Sequence, residues 1–191
     1  VKEGDIVKRG QKLFEDRNND GVLHTSPAAG TVVAIHRGER RMLQSIVIEL
    51  SEGELAGEPR YDEYESFESF RSGDPGALGA EAVEALLVES GMWTAIRARP
   101  FGKSPPLGSR PAAIFVTASD SDPLSADPDV VLADQMADFD RGLRVLAELT
   151  EGPTYLCVGE GSKIPDGVSA PVTTEVFAGP HPSGTAGVHI H

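Results

Sequence analysis

The chain has 191 residues, 39% of them hydrophobic, with 17 basic and 30 acidic side chains and a formal net charge of −13. That length suffices for one or two compact cores, and the acidic balance argues against nucleic acid or a bare anionic membrane as partner. No apolar run approaches the roughly 18–20 residues that span a bilayer, and no signal peptide stands at the start.

Gly4, Val7, Gly10, Gln11 and Leu13 alternate glycine turns with short apolar steps, and Pro27, Gly30, Val32 and Val33 supply a second turn and a returning strand. This pattern resembles the small β-sandwich, or barrel-sandwich hybrid, of biotin and lipoyl carrier domains. Those carriers hold their cofactor on a lysine at the tip of the hairpin between the two halves. Here that hairpin, Phe14 to Pro27, has none, because no lysine lies between Lys12 and Lys103. The fold can be present while the carrier chemistry cannot. The opening on Val1 inside the turn motif, and the stop at His191 where an apolar strand would begin, read as a fragment of a longer protein.

Residues 1–50 therefore read as a carrier-like β-sandwich domain whose last strand is Gln44 to Leu50. Arg37, Arg40 and Arg41 form a basic turn before it, taken as a solvated hairpin. Residues 51–77 are an acidic linker in which Tyr61, Tyr64, Phe67 and Phe70 recur every three residues. That spacing predicts a connector laid over a neighbouring core by its aromatics.

From residue 78 the pattern is that of an α/β domain running to 191. Val83, Leu86, Leu87, Trp93 and Ile96 mark one apolar face of a helix, broken near Gly91 and ended before Pro100. Arg110 to Ser119 is an apolar run suited to a strand covered on both faces. Asp127 caps a helix with Pro128 at its first position, and Leu132, Met136, Phe139, Leu143 and Leu146 stripe one side of it. Gly152 and Pro153 stop that helix. Thr154 to Gly159 and Val172 to Phe177 are two further strands. Strand, helix, strand is the βαβ pattern, so the sheet is expected to be mainly parallel.

Several constellations bear on chemistry. A dinucleotide would need a glycine-rich turn after a strand, with helix N–H groups aimed at phosphate. The chain instead offers Asp120, Asp122, Asp127 and Asp129 with Pro123 and Pro128, and then Gly159 to Gly167 with Glu160 and prolines. Neither loop suits a phosphate, so no cofactor site is assigned. The aspartates lack calcium-loop spacing and are read as helix capping. His189 and His191, two apart on an expected strand, would share a face, with His181 eight residues upstream as a third candidate. That geometry suits zinc or copper, but the preferred reading makes them ordinary loop and strand residues, with no metal. Cys157, the one cysteine, excludes an internal disulfide or thiolate cluster, fits a reducing cytoplasm, and reads as strand packing. Arg97, Arg99 and Lys103 surround Phe101 in a Pro/Gly-rich loop. Two readings stand: a receptor for a carbonyl-bearing ring or an acidic partner, or charges complementing a helix dipole.

Taken together, LFED, SPAAGTVVAI, RGERRMLQSIVIE, ESGMWTAIRARPFGKSP, AIFVTASDSDPLSADP, the LTEG and YLC run, and FAGPHPSGTAGVHIH resemble the A-subunit family of the bacterial Na+-translocating NADH:quinone oxidoreductase. They fall in family order over nearly the whole chain, with residues 51–77 and 160–172 matching poorly. The resemblance implies a cytoplasmic subunit, peripheral to the inner membrane, resting on a membrane-embedded flavin-bearing subunit. It also implies a scaffold like that of the flavin subunit of complex I with its cofactor site lost. Flavins, an iron–sulfur cluster, NADH and ubiquinone would then belong to other subunits, and Arg97, Arg99, Phe101 and Lys103 would be quinone- or partner-contacting residues. The alternative is an autonomous flavin- or NADH-binding oxidoreductase domain.

Overall fold

The computed structural model describes residues 1–164 and 171–191. They form two units, Val1–Phe70 with Glu84–Ser109, and Arg71–Val83 with Arg110–His191. The division falls inside a helix, Ala80–Glu89.

The first unit is built on antiparallel strands. β1 (Ile6–Val7), β4 (Gly30–Arg37) and β5 (Leu43–Leu50) make one sheet in the order β1-β4-β5, and β2 (Lys12–Glu15) pairs with β3 (Leu23–Thr25). Gly30 is required by a close approach: a Cβ there would lie 2.0 Å from the Glu49 carbonyl oxygen on β5. Val7, Val22, Ala29, Val32 and Trp93 are buried in this unit. Helix α1 (Glu52–Ala56) follows β5, capped by Ser51 through its Glu54 N–H and closed by Gly57 in the left-handed conformation.

The acidic segment departs from expectation. Tyr61 is 91% exposed, and Tyr64 and Phe70 are exposed as well, so of the four stripe aromatics Phe67 alone is half-buried, packed beside Gly10. Glu63 is buried instead. Its carboxylate accepts the Arg60 N–H at 2.6 Å, while its backbone accepts the Arg9 N–H at 2.8 Å. The physical reason is pairing: residues 63–65 bond to Arg9 as a strand would, and that register turns the glutamate inward and Tyr64 outward.

The second unit is an α/β layer. β6 (Ile114–Ala118), β7 (Thr154–Gly159) and β8 (Val172–Phe177) form a parallel sheet with β7 in the middle, as the βαβ pattern predicts. β7 is almost wholly buried, whereas β6 is shorter than the apolar run and only partly covered, because it is an edge strand. The long helix is broken into α3 (Pro128–Leu132) and α4 (Met136–Ala147), where Gln135 leaves helical geometry. The stripe survives the break: Leu132, Met136, Phe139 and Leu143 all pack on one cluster with Ala118, Leu156, Val158 and Ile164. Asp127 caps α3 as expected, accepting the Asp129 N–H at 2.9 Å. The helix at Ala80–Glu89, α2, ends short of Gly91, whose φ of 79° starts a separate turn over Met92–Ala95.

The chain end is the largest local correction. Residues Ala186–Ile190 form a short helix, α5, and not a strand. The Thr185 carbonyl accepts from Val188 and His189, and burial of the His189 ring overrides the strand preference of Val188 and Ile190.

Candidate functional site: the Arg97–Lys103 loop

The loop that carries Arg97, Arg99, Phe101 and Lys103 is set on a fixed base within the first unit. Trp93 is buried and its Nε1 donates to the Pro105 carbonyl at 2.8 Å. Asn19, at the tip of the β2–β3 hairpin, donates to the carbonyls of Ser104 at 3.2 Å and Pro105 at 3.0 Å. Thr25 Oγ1 donates to the Ser90 carbonyl at 2.9 Å. The hairpin tip that would bear a carrier lysine is therefore tied to the loop base by an asparagine.

Above this base the loop closes on itself. The Ala98 N–H donates to the Lys103 carbonyl and the Gly102 N–H to the Ala98 carbonyl, both at 2.8 Å. Gly102 takes a φ of 64°, which glycine adopts without strain. Arg97 is used within the loop, donating to the Thr94 carbonyl at 2.6 Å and to Ser104 Oγ at 3.0 Å. Arg99 and Lys103 are exposed, and Phe101 at the turn is 83% exposed. The four residues thus share one loop but divide its work. Arg97 staples the loop, and Arg99, Phe101 and Lys103 face outward. Among the described residues nothing encloses them. A groove of about 360 Å³ in this unit is lined by residues of β1, the end of β5 and Arg60 to Glu63, away from the loop.

That groove borders a feature that sequence reasoning missed. The Glu54 carboxylate accepts from Arg9 Nε at 3.0 Å, from a second Arg9 nitrogen, and from the Ala29 N–H at 2.8 Å. The Arg9 hydrogen bonds, then the Ala29 N–H, hold its pKa below the usual carboxylate range. Hydrogen bonds from Ser51 and the Arg60 N–H do the same for Glu63. The long-range partner Arg9 carried no signal in the local sequence.

In the second unit the expected histidine pair separates. His189 is buried, stacked on Phe177 with ring centroids 4.1 Å apart, and its Nε2 lies 3.0 Å from the Ser183 carbonyl. Desolvation lowers its pKa, the Ser183 carbonyl opposing that effect. His191 is exposed, since residues two apart on a helix point to different sides. His181 Nδ1 is hydrogen-bonded to Ser121 Oγ at 3.0 Å. Among the described residues no three His, Cys, Asp or Glu gather as a metal site.

The aspartate-rich loop also has partners. Asp129 accepts from Ser162 Oγ and the Lys163 N–H, both at 2.8 Å, which lowers its pKa. The remainder of the Gly159 to Gly167 loop lies outside the described residues from 165 onward. Cys157 is fully buried, and desolvation followed by the Glu175 charge raises its pKa to about 11.

No helix among the described residues is long and apolar enough to cross a membrane. Residues 1–51 match the family model of the NqrA N-terminal barrel-sandwich hybrid domain, and residues 78–191 that of the NqrA second alpha/beta domain. The chain is 49% identical over 191 residues to the A subunit of the Na(+)-translocating NADH-quinone reductase of Serratia proteamaculans, covering all of this chain and 41% of that protein. It is 50% identical to the corresponding protein of Photorhabdus laumondii and 48% to that of Neisseria meningitidis serogroup B, with the same coverage. The chain spans 41% of the length of these curated relatives. By fold, motif order and identity along its whole length, the chain belongs to the NqrA family.

Proposed function

We propose that this chain is part of a peripheral, cofactor-free subunit of a Na+-translocating NADH:quinone reductase, which couples NADH oxidation and quinone reduction to sodium export. The carrying observation is the 49% identity over the entire chain to a protein named as the A subunit of that enzyme. In this reading the chain itself performs no chemistry. Flavins, an iron–sulfur cluster, NADH and ubiquinone are held by other subunits. The protein rests at the cytoplasmic face on a membrane-embedded, flavin-bearing partner. Residues 1–50, 51–77 and 78–191 are its carrier-like domain, acidic connector and α/β domain.

Two observations support the absence of a nucleotide site. The Lys163 N–H, a donor that a phosphate would need, is committed to Asp129, and the Ile164 N–H to Ser162 Oγ. The lysine-free hairpin tip carries Asn19, whose amide supports the neighbouring loop.

Arg99, Phe101 and Lys103 form the partner contact. A quinone ring needs a concave site that buries most of its surface, whereas this loop presents its aromatic to solvent. An exposed aromatic flanked by cations on a braced loop suits a protein interface. Exchange of Phe101, Arg99 and Lys103 for alanine in the full-length protein tests this. Attachment to the membrane subunits should weaken while the melting temperature of the isolated protein stays nearly constant. Normal assembly and quinone turnover would dismiss the loop as an interface. A purified protein that is yellow with bound flavin would favour an autonomous oxidoreductase instead.

A further inference from the structure

The hairpin between β4 and β5 carries a second basic tip. Arg37, Arg40 and Arg41 are exposed there, and Met42 beside them is 65% exposed. Arg40 and Arg41 have φ of 53° and 62°, the two non-glycine residues with positive φ among those described. Neither side-chain chemistry nor local sequence favours that backbone, which asparagine and glycine adopt far more readily. The Arg37 guanidinium donates to the Arg41 carbonyl at 3.2 Å, and the Gly38 N–H to the Met42 carbonyl at 2.8 Å, so the tip has a defined form. On a chain of net charge −13, none of the three arginines is in an ion pair among the described residues, although Glu39 stands between them. Turn chemistry that strains the backbone and leaves three cations unpaired is not what stability alone would select.

We propose that this tip docks on an acidic protein surface of a partner subunit, with the guanidinium groups of Arg40 and Arg41 pairing with carboxylates and Met42 packing at the contact. The inference rests on the function proposed above and adds a surface distinct from the Arg97–Lys103 loop. A carboxylate-bearing protein is favoured over an anionic bilayer by charge. Each arginine near such a bilayer gains only roughly a fivefold preference, while the 30 acidic residues of the chain are repelled by an extended anionic plane. A local acidic patch meets the tip alone, and arginine forks match carboxylates in pairs.

The test uses the full-length protein in the whole complex, purified through a tag on another subunit and washed with rising salt. Arg40→Asn with Arg41→Gly removes both charges while giving the turn residues that prefer its backbone. This variant should melt at or above the wild-type temperature yet bind its partners on the order of tenfold or more weakly, leaving the complex at lower salt. Arg40→Lys with Arg41→Lys should recover part of that loss. Retention of the Asn/Gly variant equal to wild type at every salt concentration would overturn the proposal. So would wild-type binding to phosphatidylglycerol vesicles that the variant loses, which would assign the tip to lipid. Absence of the wild-type protein from the purified complex would overturn the proposed function and this docking with it.

Discussion

At His189 one ring holds the chain end against the sheet. The ring is buried on Phe177, its Nε2 is matched to the Ser183 carbonyl, and its Nδ1 has no partner among the described residues. Burial places its folded pKa below the ordinary 6.5, so between that value and the lower folded one the unfolded chain binds the extra proton. The stability contributed by neutral burial is therefore complete above the ordinary pKa and lost as pH falls through it. Melting followed from pH 7.5 to 5.5 should show a decline that His189→Phe flattens; an unchanged slope in the variant would assign the decline elsewhere. Cys157 gives a second prediction at this scale. A thiol with a pKa of about 11 inside β7 carries almost no thiolate at neutral pH. It should resist a disulfide reagent in the native chain and react fully once denaturant unfolds it.

Among the elements, the segment after β5 shows how two carboxylates replace an aromatic anchor. The Glu54 carboxylate binds α1 to Arg9 and Ala29, while Glu63 meets Arg9 through its main-chain carbonyl and turns its carboxylate onto the Arg60 N–H. Both carboxylates have lowered folded pKa values. Their contribution is present above the ordinary carboxylate pKa and lost as pH falls through it toward the folded values. Glu54→Gln should speed hydrogen exchange at the Ala29 amide, and exchange equal to wild type would show that Arg9 and Glu54 are not a clamp. Elsewhere in this unit, Asn19 and Trp93 brace the Arg97–Lys103 loop from below. Asn19→Ala leaves the Ser104 carbonyl without its donor and the Pro105 carbonyl with Trp93 alone, and should loosen residues 98–104, with a stability loss on the order of 1 kcal/mol. The exposed pair Arg99 and Lys103 should each shift stability by no more than about 0.5 kcal/mol.

For the molecule as a whole, the contact pattern assigns residues 84–109 to the same unit as residues 1–70. Buried Trp93, with the bonds from Asn19 and Thr25 to residues 90–105, gives that grouping its energy. A segment of residues 1–109 should consequently melt well above residues 1–70 alone. Equal melting temperatures would mean that residues 84–109 add nothing to the β unit. In the other unit, α4 and the parallel sheet meet at Leu143, which is 1% exposed. Leu143→Ala should cost about 2–5 kcal/mol, the expense of a cavity in a packed core. A loss below about 1 kcal/mol would show a core that closes around the gap.

Local pattern was enough to determine the fold class and last strand of the β domain, the Asp127 cap, the buried β7 strand and the parallel order, because period, caps and glycine turns act over a few residues. The missing lysine and the basic loop were legible for the same reason: they are statements about residue types at fixed places. The tertiary structure alone decided that Arg97 staples the loop while Arg99 and Lys103 face outward, since Ser104 becomes its neighbour only when the loop closes. It also decided that Glu63 turns inward where Tyr61 was expected, and that the last residues coil around a buried histidine. Each of these depends on a partner distant in sequence, Arg9 for Glu63 and Phe177 for His189. A periodicity of three or two records which side chains share a face, but not which face the rest of the fold will bury.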